Sequence, residues 1–328
     1  MKPPILPLLF VAVVATTANA APVDERVSVI SHLFEGADIV AGPSISDCTL
    51  SKGTAAKCFT ITVRPFPKER TPGPFCPTNV ADGPDKSGIW MNRDAIVDAD
   101  GSFMKRLPEI YDDDEWQVVE PSTGKVRVTD SAEACAAAAR PDVDAQYNNY
   151  CVQCLPEYVD TAITTTYSIP LEPVALRSFF GGASSEDTRG AVGVAFDGVR
   201  LDAPAPLDAI LDAHTVAPFD DCGGHVNLHV GYHYHAVTDC TGMANSSDDA
   251  KEDARTIGLA LDGHPILSQL TTPTDLDTCN GHTVDGRYHY HAGAAGSNRI
   301  LPCLIAERGC ASESSDATCD ATVRERRP

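Results

Sequence analysis

The 328-residue chain reads as mainly β, a β-rich, tandem-duplicated hairpin module with a few short helices. Three observations predict this class. The segment GVAFDG (193–198) recurs as GLALDG (258–263), and in each copy alternating apolar residues run into an Asp-Gly turn, a hairpin signal. DDCGGH (220–225) recurs as DTCNGH (277–282), and YHYHA (232–236) as YHYHA (288–292). The order is kept while the offset falls from 65 to 57 to 56 residues, as in a duplication whose connecting loops have shortened.

Taken in order, residues 1–20 read as a secretory signal peptide: Lys2, an apolar stretch over 5–14, and the small-residue run Ala18, Asn19, Ala20. No later window approaches the roughly 20 apolar residues of a membrane span. Residues 21–165 form a Cys-, Pro- and Asp-rich N-terminal region with short strand-like pieces such as Phe59, Ile61 and Val63. Ser131 before an alanine run stopped by Pro141 predicts a helix over 132–139. Around Asp98 and Gly101 the carboxylate spacing of a calcium loop is missing, because Ile96 and Leu107 stand at ligand positions, and a hairpin turn is expected instead. The acidic run 112–115 reads as a solvated loop. The duplicated β domain spans 166–310, and a Ser- and Asp-rich tail that turns basic is expected to fray over 311–328.

Composition narrows the function. With 46 acidic against 25 basic residues the formal charge is −21, which repels phosphate backbones and anionic lipid, so nucleic acid is excluded as a partner. All 12 cysteines lie beyond the expected cleavage point, and in an oxidising compartment disulfides are their default state, with connectivity left open. Cys151 and Cys154 are read as members of separate bridges rather than a redox pair. Asn245-Ser246-Ser247 is a glycan acceptor pattern, so the chain is also read as a glycoprotein.

Nine of the 10 histidines follow residue 213, and six occupy matching places: His225 with His282, His233 with His289, His235 with His291. On a strand His233 and His235 point one way while Tyr232 and Tyr234 point the other. Paired imidazoles on a rigid strand suit copper or zinc, with His225 and His282 as further ligands. The two pairs are expected to face each other and converge on one point. Affinity should then fall as pH drops through about 6.5, since only neutral imidazole ligates. His229 lacks a counterpart, and His32, His214 and His264 stand alone, so these four are left out of the ligand set. A competing reading has the histidines hydrogen-bonded to carboxylates such as Asp221 or Asp277.

DDCGGH, GYHYH, GLALDG, DLDTCNGH and YHYHA together resemble the YHYH-domain family over roughly residues 160–310. The resemblance implies a β-rich fold and a secreted or cell-surface setting, with no settled activity to carry over. The chain departs from the family's pattern at His264 and at Leu267-Ser268, beside the second Asp-Gly turn.

The leading expectation is a secreted, disulfide-rich protein with a histidine-based transition-metal site. A metal-dependent hydrolase or oxidase, assisted by a tyrosine, Asp221 or Asp277, is one alternative, although G-x-S-x-G, P-loop and H-E-x-x-H signatures are all missing. The other is an extracellular structural or adhesion module with no metal.

Overall fold

The computed structural model describes residues 23–176, 190–242, 254–270, 275–313 and 318–323. In chain order these form α1 (Val23–Leu33), β1 (Ile39–Thr49), β2 (Ala55–Val63), β3 (Ile89–Asn92), β4 (Ala95–Asp98), α2 (Gly101–Lys105), α3 (Leu107–Tyr111) and α4 (Ala132–Ala138). There follow β5 (Thr165–Pro170), β6 (Ala191–Ala195), β7 (Arg200–Asp202), α5 (Leu207–Asp212), β8 (Gly224–Asn227), β9 (Gly231–Tyr234), β10 (Thr256–Ala260), β11 (Pro265–Leu267), β12 (Gly281–Val284), β13 (Arg287–His291) and β14 (Cys310–Ser312). The protein is mainly β, as predicted. Among the described residues no helix is long and apolar enough to cross a membrane. The expected signal peptide and Asn245 lie outside the described residues.

The duplication organises an eight-stranded sheet of order β12-β13-β11-β10-β6-β7-β9-β8. Each half repeats the same path: the Asp-Gly hairpin (β6-β7, β10-β11) pairs in parallel with the YHYH strand (β9, β13), which pairs antiparallel with β8 or β12. Both hairpin turns carry the predicted glycine at positive φ, Gly198 and Gly263. The halves join where β6 meets β10 antiparallel, Val194 opposite Leu259, its own repeat equivalent, with Gly193 opposite Ala260 and Ala195 opposite Gly258. A local twofold axis therefore passes between Val194 and Leu259. The close approach requires glycine: a Cβ on Gly193 would lie 2.4 Å from Leu259 O, and one on Gly258 2.2 Å from Val194 O.

A second sheet, β1-β2-β5-β14, is completed by both ends of the chain. It encloses the main core with the larger sheet, through Phe34, Phe59, Tyr167, Phe196 and Ile257 among others. A smaller core around Trp90, Phe103, Trp116 and Phe219 belongs to the β3–β4 hairpin and its neighbours. All 12 cysteines are bridged: 48–58, 76–151, 135–154, 222–240, 279–303 and 310–319. Cys151 and Cys154 thus serve separate bridges, as expected.

The helix predicted over 132–139 is α4, its N terminus capped by Ser131 Oγ, which accepts from Ala134 N–H at 3.1 Å. Two expectations need correction. Asp98 ends a strand rather than opening a hairpin turn: Asp100 caps α2 by accepting from Phe103 N–H, and the hairpin turns earlier, at Arg93 and Asp94. The tail does not fray at 311, because β14 pairs with β5, Cys310 is bridged to Cys319, and Ala321 N–H bonds to Thr49 O.

Candidate metal centres

Each YHYH strand sorts its side chains by alternation. The tyrosines face the main core and are held there by carboxylates that the repeat itself supplies. Tyr234 donates to Asp197 and Tyr290 to Asp262, both at 2.6 Å, while Tyr232 donates to Asp220 at 2.7 Å and Tyr288 to Asp277 at 2.8 Å. Asp220 and Asp277 also accept the backbone N–H groups of the tight D-x-C-x-G turns, from Cys222 and Gly224 and from Cys279 and Gly281. Burial pushes the carboxyl of Asp197 up, and that of Asp262 up to about 6. In the first copy Arg70, reaching in from the N-terminal region, donates to Asp220, Tyr232 and Tyr234.

The histidines gather on the opposite face, in two clusters of three: His225, His233 and His235 in one copy, His282, His289 and His291 in the other. All six predicted ligands are present in these clusters, and within each the ring nitrogens lie within 4.8 Å of one another. The pairs do not converge across the copies. β9 and β13 stand five strand spacings apart in the sheet, about 24 Å at roughly 4.8 Å per strand. The local twofold carries the two copies' histidines away from each other, so the D-x-C-x-G-H histidine completes each triad within its own copy.

In the first cluster His225 Nε2 lies 3.1 Å from His233 Nε2. In the second, His282, His289 and His291 form a triangle with Nε2 separations of 3.0, 3.1 and 3.3 Å. Backbone carbonyls fix the tautomers. His233 Nδ1 faces Gly231 O at 3.1 Å, His235 Nδ1 faces Ala203 O at 2.7 Å, and His291 Nδ1 faces Ser268 O, the repeat equivalent of Ala203 O, at 3.1 Å. A carbonyl only accepts, so these Nδ1 atoms carry the proton and each neutral ring turns a bare Nε2 lone pair into its cluster. With His291 Nε2 unprotonated, the second triangle has at most two Nε2 protons for three short edges. At least one edge therefore has no proton of its own to bridge it. A single cation satisfies all three nitrogens at once, and metal–nitrogen bonds of about 2.0–2.1 Å place tetrahedral ligand nitrogens about 3.3–3.4 Å apart, close to the separations here. The donor set fits a transition metal.

The electrostatics of the first cluster favour neutral, ligating rings. Burial, then His233 and His235, hold His225 well below the ordinary imidazole range, and burial followed by His235 takes His233 down to about 3. Protonation of these rings therefore sets in far below the pH 6.5 that a free imidazole implies. Burial opposes the charge of Asp202, but Arg200, bonded to it at 3.2 Å, with His233 and His235, wins and holds that carboxyl at about 2.

Two sequence-based alternatives fare differently. The carboxylates proposed to stitch the histidines instead serve the tyrosines: Asp277 accepts from Tyr288, and Asp220 rather than Asp221 is its counterpart. Of the histidines set aside, His214 bonds Asp113 at 2.8 Å and His32 bonds Glu35 at 2.7 Å, while His264 packs against the rings of Tyr288 and Tyr290. Sequence reasoning read Asp197 and Asp262 only as turn formers. Their recurrence 65 residues apart, ahead of equally recurrent tyrosines, was the available signal.

Residues 166–275 match the family described as YHYH protein, which bears out the resemblance. The match takes in the first cluster and the second Asp-Gly hairpin, and ends before His282. No curated protein and no solved structure matches the chain.

Proposed function

Starting from a chain whose residues 166–275 carry a YHYH domain, we propose an exported, disulfide-rich protein that binds two transition-metal ions, copper or zinc. One is held by His225, His233 and His235 and the other by His282, His289 and His291. The observation that carries this reading is the triangle of Nε2 atoms at 3.0–3.3 Å with a tautomer fixed from behind by Ser268 O. Six disulfides, which persist only where thiols are oxidised, support the exported setting. When bound, the metal supplies Lewis acidity; the chain's part is to hold three neutral nitrogens with their lone pairs inward and to fix each ring through its other nitrogen. An adhesion module with hydrogen-bonded histidines fits less well, since the carboxylates that would partner them are taken by tyrosine.

The test is metal content. The mature protein, purified without an affinity tag, should hold two copper or zinc ions per chain, His233→Ala and His289→Ala one each, and the double variant none. A metal-free wild type, or the same content in all four, overturns the proposal.

A further inference from the structure

The two clusters occupy equivalent strands in unequal surroundings. The β8–β9 hairpin is enclosed on both faces, by the N-terminal region on one and by Phe219 on the other. On the tyrosine face Arg70 sits 5.0 Å from the Tyr232 ring, and Tyr232 N–H bonds to Pro65 O. On the histidine face Phe219 packs against His225 and His235, centroids 4.9 and 5.6 Å away. That ring is fully buried, stacked on Trp90 and bonded through its backbone to Ile89 at 2.7 and 2.9 Å. All of β9 is buried, with His233 4% exposed.

The second hairpin lies at the far edge of the sheet. Thr283, Asp285, Gly286, Arg287 and Asp277 are exposed, and Tyr288 and His289 are half-buried where Tyr232 and His233 are buried. Half-buried Leu276 stands where the first copy has Phe219, and Leu267 where it has Asp202.

Resting on the two-centre reading above, we infer that the copies have divided their labour. The centre of His282, His289 and His291 is the exchangeable one, whose remaining coordination position takes a small exogenous donor such as a monodentate anion, while that of His225, His233 and His235 is closed and structural. Three neutral imidazoles leave the charge of a divalent ion uncompensated, which favours an anionic fourth ligand where solvent has access. At the first centre Phe219, backed by Trp90, covers the histidine face.

The experiment uses the full mature protein loaded with Cu(II). Excess chelator should remove copper in two phases of equal amplitude, the slow one at least tenfold slower, with the fast phase lost in His289→Ala. Azide should change the visible absorption of the wild type and of His233→Ala, and leave His289→Ala unchanged. A single release phase, or an equal azide response from both variants, overturns the division of labour while leaving the two-centre reading in place. Failure of the wild type to bind copper overturns that reading itself. Should His233→Ala not fold, the biphasic release of the wild type and the azide silence of His289→Ala decide the question without it.

Discussion

Replacing Tyr234 by Phe removes one oxygen and little volume, so it isolates the bonds that hold the first YHYH strand. The hydroxyl donates to Asp197 Oδ2 at 2.6 Å and accepts from Arg70 at 3.1 Å, and both tyrosine and carboxylate are buried. Without it, Asp197 keeps the Val199 N–H on its other oxygen, 3.1 Å away. Hydrogen bonds to charged groups contribute about 1.5–3 kcal/mol, and a buried carboxylate oxygen left short of a donor puts the loss at the upper end, about 2–3 kcal/mol. The second YHYH strand supplies a less buried tyrosine–carboxylate bond for contrast: Tyr288, the equivalent of Tyr232, bonds Asp277 at 2.8 Å, but in an exposed hairpin where water can replace the hydroxyl. Tyr288→Phe should then cost about 1 kcal/mol or less. The assay is reversible urea unfolding with disulfides intact and metal removed by chelator, read by tyrosine and tryptophan fluorescence. Equal losses from the two variants, or a Tyr234→Phe loss below about 0.5 kcal/mol, would refute the idea that buried carboxylates lock these strands.

Three further outcomes follow from named contacts. Asp262 has a folded pKa of about 6 against about 3.9 unfolded, so its contribution to stability is fully present below about pH 4 and lost as pH rises through 6. Unfolding free energies of the metal-free protein at pH 4, 5 and 6.5, taken relative to Asp262→Asn so that the opposing titration of the buried His225 and His233 cancels, should show a wild-type advantage that declines by about 2 kcal/mol; a difference that does not change with pH sinks it. Gly193→Ala and Gly258→Ala push a methyl against Leu259 O and Val194 O across the twofold, and each should cost about 2–4 kcal/mol by urea titration, a wild-type midpoint in either being contrary. Removing the Cys222–Cys240 bridge, which closes a short loop beside the first cluster, should cost about 3 kcal/mol in the same titration, and under 1 kcal/mol would mean the turn is held by Asp220 alone.

Much of the β domain was legible because duplication makes equivalence visible. Matching GVAFDG to GLALDG locates both hairpins, and alternation in YHYH sorts tyrosine from histidine from the sequence alone. Equivalence is not adjacency, however. His233 and His289 share an offset, yet the chain also had to specify which strand lies at the axis, and that follows from Gly193 and Gly258 admitting a neighbouring backbone, a contact between residues 65 positions apart. Pairings of that range leave no local pattern. The same holds for β5 joining β2 and β14, and for Arg70, the last of three charged residues in a Pro-rich loop, whose partners lie about 150 residues on. At Asp100 the local signal was ambiguous: an Asp-Gly pair serves a hairpin turn and a helix cap alike, and the downstream Phe103 amide decided for the cap.

The antiparallel seam of β6 and β10 is shared by two halves that each carry their own cluster of three histidines. Neither half borrows a histidine from its twin, so one can drift in sequence, gain a cover or lose its cluster without disabling the other. An ancestor in which two identical chains met along this seam could not have done so, since every change would have appeared twice. Fusion into one polypeptide is what lets the halves age separately, and Phe219 opposite Leu276 is the mark such separate histories leave.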